Sequence, residues 1–190
     1  MAVVKKIAYS GFTTKILKSF LSLFYDKKYL CDYFFDEKRI GYLWAIKGLP
    51  RAIRNRRKGI VWPVGKNTNI LFGKNIIVHP SSIHVFQMSG CYFQDFEKIK
   101  IGKGVYIAQN VGVITANHDL KDPLNHSEGK AVEIGDKCWI GMNSVILPGC
   151  KLGPHTVVGA GSIVTKSFPN GYCVIAGNPA RLIKTIECDR

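Results

Sequence analysis

Branched aliphatic side chains recur at every sixth position from Ile134 onward: Ile134, Ile140, Ile146, Leu152, Val158 and Val164. Glycine follows four of the six. Four residues after each aliphatic stand Cys138, Ser144, Cys150, Thr156, Ser162 and finally Phe168. A period of six fits neither a helix nor an alternating strand, and predicts a solenoid of short parallel strands. Three hexads close one coil of a triangular prism. The aliphatic and the residue four later point inward, and glycine suits the corners, where backbones approach closely. Stacked coils lie about 4.8 Å apart, so their hydrogen bonds run from coil to coil and each coil needs a neighbour. The same rhythm appears at Ile101-Gly102 and Ile107-Ala108, with Val105 and Val111 in the inner slot. A looser version passes through Phe72-Gly73 and Val78-His79.

The pattern predicts a solenoid over residues 60–176, interrupted once. Val113 and Ile134 are 21 residues apart where one hexad would use six, so an external loop, 117–133, must leave the prism. It carries His118, Asp119, Asp122, Pro123, His126, Glu128 and Gly129. Polar loops on a rigid scaffold are where function concentrates. Residues 177–190 form a closing segment.

Residues 1–59 read as a partly helical extension. Ile16, Leu17, Phe20, Leu21, Leu23 and Phe24 recur at helical spacing between lysines. Two readings stay open: an amphipathic helix lying on a lipid surface, or a helix packed on the solenoid end or on another subunit.

Charge sharpens that division. Residues 1–66 hold 15 Lys/Arg against 4 Asp/Glu, whereas the remainder holds 12 against 9. A basic third beside a near-neutral solenoid favours an anionic partner. Nucleic acid is not expected, since no recognition module accompanies the charge and the aromatics fall at core spacing. The six cysteines show no CxxC and no zinc-like spacing, and read as reduced structural thiols of a cytoplasmic protein. No signal peptide and no membrane span are read in the chain.

Four stretches carry a resemblance. They are Ile114-Thr115-Ala116-Asn117-His118-Asp119, the run Ile134–Gly149 with Trp139 at its centre, Val158–Lys166, and Ala176-Gly177-Asn178-Pro179-Ala180-Arg181. Over residues 64–186 the chain resembles the hexapeptide-repeat acyltransferases, which are left-handed parallel β-helices. It looks most like the maltose and galactoside O-acetyltransferase branch used in bacterial capsule and lipopolysaccharide assembly. The resemblance implies a mainly β prism, a homotrimer, acetyl-CoA as co-substrate and a general base at His118. It implies coenzyme contacts at Trp139, Gly141, Met142, Ala160, Lys166 and Arg181. Asn117, Asp119 and Asn110 are the acceptor-binding candidates, with Gln94 as a further one. Met142 stands where some relatives carry serine, so a donor there would be its backbone N–H.

The chemistry suits these types. An imidazole titrating near neutrality is a natural base for a hydroxyl attacking a thioester. Amides at rigid corners can hold the resulting oxyanion, here those near Gly141 and Met142. A zinc site would need three converging histidines; the spacing of His79, His84, His118 and His126 suggests none, and no metal is expected. His79, His84 and His155 are placed on coil surfaces, and His126 reads as solvated or as part of the loop packing. The expected activity is transfer of acetyl from acetyl-CoA to a hydroxyl of a surface-polysaccharide sugar. The acceptor would be a sugar or lipid-linked saccharide met at the inner face of an anionic membrane. The alternatives are an N-acyltransferase of a nucleotide-linked amino sugar and a β-helix scaffold without catalysis.

Overall fold

The computed structural model describes residues 11–187. The first ten residues of the extension, and Cys188, lie outside them. The solenoid proper is a parallel β-helix of five coils. The first coil contributes β1 (Asn69–Ile70) and β2 (Ile76–Val78), the second β3 (Tyr92–Gln94), β4 (Ile99–Ile101) and β5 (Tyr106–Ile107). The third holds β6 (Gly112–Ile114), β7 (Val132–Ile134) and β8 (Trp139–Ile140). The fourth holds β9 (Val145–Ile146), β10 (Lys151–Leu152) and β11 (Thr156–Val158). The last has β12 (Ile163–Val164) and β13 (Cys173–Gly177), and β14 (Ala180–Thr185) folds back antiparallel to it. Face one is β1-β3-β6-β9-β12, face two β2-β4-β7-β10 and face three β5-β8-β11-β13-β14.

Register explains the period of six. Ile70, Phe93, Val113, Ile146 and Val164 stack inside face one. Val78, Ile101, Ile134 and Leu152 do so in face two, and Ile107, Ile140, Val158 and Ile175 in face three. All are buried, each worth roughly 1.5–3 kcal/mol of transfer free energy. The residue four later fills each inner corner. Ser144 Oγ and Ser162 Oγ donate to the Gly159 carbonyl, and Cys138 Sγ to Gly153. Cys31, Cys91, Cys138, Cys150 and Cys173 are free thiols, and burial pushes Cys138 up to about 11.

Two expectations need correction. Phe72 is not an inward position: Ile70 fills that slot, and Phe72 is exposed with its ring edge-on to Phe96. The loop is also not the only interruption. A 3-10 segment, Pro80–Gln87, replaces the face-three strand of the first coil, with the His79 ring accepting from the Ser81 amide at its start.

That segment is where the extension docks. Among the described residues three α-helices precede the prism: α1 (Gly11–Leu21), α2 (Tyr33–Asp36) and α3 (Ile40–Arg57). Gly41, Ala45, Gly48 and Ala52 form the buried stripe of α3, and Tyr25 Oη donates to the Ala45 carbonyl. A side chain at Gly48 would meet that hydroxyl at 2.6 Å. From there Tyr29, Trp62, Phe86 and Phe93 form a row of ring contacts into the prism. The hydrophobic core is therefore continuous from Leu21 to Ala180. In α1, Leu21 is buried and Leu17 packs on the core while Ile16 and Phe20 face outward, as does Leu23 just beyond it.

His84 also departs from expectation. It is not on a free coil surface but 4% exposed, sandwiched between Phe34 of α2 and Tyr106 of face three. Neither ring nitrogen has a hydrogen-bond partner among the described residues.

Candidate active site

The loop leaves the edge between faces one and two, and its root is clamped. Gln94 Oε1 accepts the Thr115 and Ala116 amides at 3.3 and 3.1 Å, while Thr115 Oγ1 donates to the Gln94 carbonyl at 2.6 Å. Gln94 therefore shapes the loop rather than facing outward for an acceptor. Beyond the root the chain forms a narrow antiparallel finger. Ser127 N donates to Asn117 O, His118 bridges His126, and Asp119 N donates to Asn125 O.

At this place in the finger, His118 Nδ1 lies 2.7 Å from the Pro123 carbonyl oxygen. A carbonyl can only accept, so Nδ1 carries the proton and the lone pair is left on exposed Nε2. That is the tautomer a general base needs. No side-chain pattern signals Pro123, because its contribution is a backbone oxygen. Asp119 and Asn117 serve the finger itself. Asp119 Oδ1 accepts the amides of Lys121 and Asp122, and the Asn117 carbonyl accepts both Ser127 N and Ser127 Oγ.

The other candidates sit elsewhere on the prism. Trp139 stands on the outer side of face three, 57% exposed, beside Tyr106 and Val157 on the neighbouring strands. Gly141, Met142 and Ala160 stack on the edge between faces three and one. A side chain at Gly141 would meet the Ala160 amide nitrogen at 2.6 Å, so only glycine allows those corners to approach. Its N–H, however, donates to the Val158 carbonyl at 2.8 Å. Gly141 is thus not an oxyanion donor, since its proton belongs to the coil-to-coil ladder. Asn143 N is likewise engaged, by Gln109 O, while Met142 N–H, on an exposed residue of that corner, has no backbone acceptor among the described residues. Asn110 has left-handed backbone geometry (φ 58°) and donates to Asn143 Oδ1, which makes it a corner residue on this same edge.

Arg181, on β14 opposite Ala176, is exposed near that edge too. Lys166 lies instead on the edge between faces one and two, its ammonium over the Phe168 ring. One chain therefore carries two groups of candidates: Asn117, His118, Asp119 and Lys166 on one edge, and Asn110, Gly141, Met142, Ala160 and Arg181 on another. Face one separates them by about 16 Å, taking five residues at strand rise. Among the described residues no three His, Cys, Asp or Glu side chains group as a metal would require.

Residues 131–166 match the family described as Bacterial transferase hexapeptide (six repeats). An inferred acetyltransferase of Schizosaccharomyces pombe is 36% identical over 122 residues, covering 63% of this chain and 54% of that protein. The chain spans about half the length of this relative. The crystal structure of a maltose O-acetyltransferase from Clostridium difficile 630 is 31% identical, with a TM-score of 0.56, covering 95% of this chain and 91% of that one. A galactoside acetyltransferase in complex with coenzyme A is 25% identical with a TM-score of 0.55, over 93% of this chain and 80% of that one.

Proposed function

Because the chain belongs to the hexapeptide-repeat acyltransferase family, we propose that it transfers acetyl from acetyl-CoA to a sugar hydroxyl with His118 as general base. The observation that carries this reading is the contact between His118 Nδ1 and the Pro123 carbonyl. Nε2 takes the acceptor's proton as its oxygen attacks the thioester carbonyl. The carbon–sulfur bond of the tetrahedral intermediate then breaks, and the imidazolium returns the proton to the departing thiolate. Met142 N–H is the donor for the oxyanion. Trp139, Ala160 and Arg181 hold the coenzyme. The maltose and galactoside enzymes among the similar structures support a sugar acceptor.

The separation of the two candidate groups supports a trimer with sites shared between subunits: the finger of one prism reaches the face-three edge of the next. Leu120 and Leu124, fully exposed at the fingertip, are the side chains such a neighbour would cover. Release of coenzyme A thiol measured with hydroxyl and amino sugars tests the reading. Turnover with hydroxyl sugars, lost in His118→Ala, supports it. Turnover with amino sugars alone selects the N-acyltransferase alternative, and no turnover selects the scaffold.

We propose further that the protein works at the cytoplasmic face of an anionic membrane. Leu23, Phe24 and Ile53 line a groove flanked by Arg56 and Arg57, with Ile16 and Phe20 exposed on α1. Apolar side chains among cations suit an anionic lipid surface. Among the described residues no helix is long and apolar enough to cross a membrane.

A further inference from the structure

A cavity of about 250 Å³ lies where the C-terminal half of α3 meets the first coil, and its chemistry is one-sided. It is lined by Arg51, Arg54, Lys58 and Lys66, together with polar Asn55, Thr68 and Asn69, and no carboxylate. None of the four cations takes part in an ion pair among the described residues. Two are fixed by backbone oxygens: Arg51 donates to the Val64 and Gly65 carbonyls, and Lys58 to Leu71. Carbonyl contacts hold these side chains in place without neutralising them. The C-terminal dipole of α3 offsets only about half a charge, so four cations leave a strong positive field. A second, more apolar hollow adjoins the first, sharing Arg51, Val64 and Lys66 and walled by Trp44 and Pro50.

Its position gives this field a purpose. Asn67, beside the cavity, begins a ladder down the edge between faces three and one. Gly90 N donates to Asn67 O, Asn110 N to Ser89 O, Asn143 N to Gln109 O and Gly161 N to Met142 O. Three coil steps, about 14 Å at strand spacing, separate the Asn67 corner from Met142. Arg181 lies near the far end of the same edge. An acceptor anchored at the head of the edge would approach the thioester from the side opposite the coenzyme's phosphates.

Resting on the acetyl-transfer reading above, we propose that this cavity is a site for a sugar carried on a diphosphate, with the diphosphate among Arg51, Arg54, Lys58 and Lys66. Guanidinium and ammonium groups bind phosphate oxygens through charge-assisted hydrogen bonds. The acceptor is then a sugar diphosphate, linked to a nucleoside or to a lipid, and not a free sugar.

The test is calorimetric titration of the full-length protein with inorganic pyrophosphate in saturating coenzyme A, so that the coenzyme's own cations are occupied. Arg54 and Lys66 are exposed, so the Arg54→Glu/Lys66→Glu variant should fold, which its melting temperature checks. Pyrophosphate affinity should fall at least tenfold in this variant. It should hold within about twofold in Lys100→Glu/Lys103→Glu, the same charge change outside the cavity. In a kinetic arm, a nucleoside diphosphate hexose and a hexose on a short polyprenyl diphosphate are compared with the free hexose. At least one should show kcat/KM tenfold above it, and the faster of the two names the source. No pyrophosphate binding, or equal loss in both variants, overturns the site even if free sugars are acetylated well. Equal kcat/KM for free and diphosphate-linked hexose overturns the acceptor assignment. Pyrophosphate binding that obeys the variants, without transfer to any acceptor, upholds the site and sinks the acetyl-transfer reading instead.

Discussion

The ring of His126 lies against the ring of His118, with centroids 4.5 Å apart and planes tilted by 31°. On its other side His126 meets Phe96 at 4.8 Å, and Phe96 meets Phe72 at 5.2 Å. A row of rings thus runs from the prism edge into the finger and ends on the proposed base. His118→Ala should lower kcat by about 10²–10⁴ with little change in the KM for acetyl-CoA. His126→Phe, which keeps the ring contact, should stay within about threefold of the native rate, since aromatic contacts are worth about 0.5–1.5 kcal/mol. Steady-state kinetics of both variants decide which histidine does the chemistry. Equal losses would mean that the roles have been divided wrongly.

Gln94 controls the same histidine from a distance. Replacing it with leucine leaves the buried amides of Thr115 and Ala116 without their acceptor, at a cost of about 1–3 kcal/mol. Activity should fall between about 10- and 100-fold through a misplaced finger. Gln94→Glu retains an oxygen in that place and should recover most of the lost melting temperature. An active, stable leucine variant would show that the finger holds its shape without the clamp.

The hexads were legible because register leaves one choice of inward face: each aliphatic at the sixth position stacks on its equivalent in the next coil. Phe72 was misread because the first coil has a neighbour on one side only, and the exposed end tolerates an outward aromatic. Periodicity also cannot say which outer surface another element covers. That is why His84 reads as a coil-surface residue and is in fact beneath α2. Corner glycines were read correctly as sites of close approach, but the amide of Gly141 is consumed by the ladder that this approach creates. The tautomer of His118 depends on a carbonyl five residues away, which leaves no mark in residue types.

His84 makes a third, unrelated prediction. Burial holds its imidazole down at about 4, from an ordinary value of 6.5. Between those two values the unfolded chain binds a proton that the native protein does not. Stability is therefore full above about pH 6.5 and is lost as pH falls toward 4, by about 3 kcal/mol at most. His84→Phe removes the titration and fills the same slot between Phe34 and Tyr106, without two unpaired ring nitrogens. Its melting temperature should equal or exceed the native value at pH 7 and exceed it more at pH 5. A difference that does not widen between the two pH values would contradict this.

The coenzyme group can be tested separately from the base. Arg181→Ala should raise the KM for acetyl-CoA by about 10–100-fold, the worth of a charge-assisted hydrogen bond to phosphate, and leave kcat less affected. Trp139→Ala should behave similarly by removing an exposed aromatic wall. Lys166 lies on the edge of the finger; in the proposed trimer it would act on the coenzyme of the neighbouring subunit, so its effect should vanish in any monomeric variant that still binds the coenzyme. Unchanged KM in the Arg181 and Trp139 variants would remove this part of face three from the site.

The basic extension calls for a different kind of test, because its core is continuous with that of the prism and deleting it would strip Trp62 and Phe86 of their cover. Point changes on the outer side avoid that problem. Leu23 and Ile53 are exposed at the groove beside Arg56 and Arg57, and neither is needed to bury the helices. Each cation near an anionic bilayer contributes about 1 kcal/mol, a contribution screened over roughly 8 Å at physiological salt. The native protein should therefore sediment with anionic vesicles at low salt, release as salt rises, and ignore neutral vesicles. Leu23→Glu/Ile53→Glu should abolish sedimentation while coenzyme affinity and melting temperature stay unchanged. If the native protein remains in the supernatant with anionic vesicles at low salt, these side chains face another protein surface. In that case the oligomeric state of the same double variant should change instead.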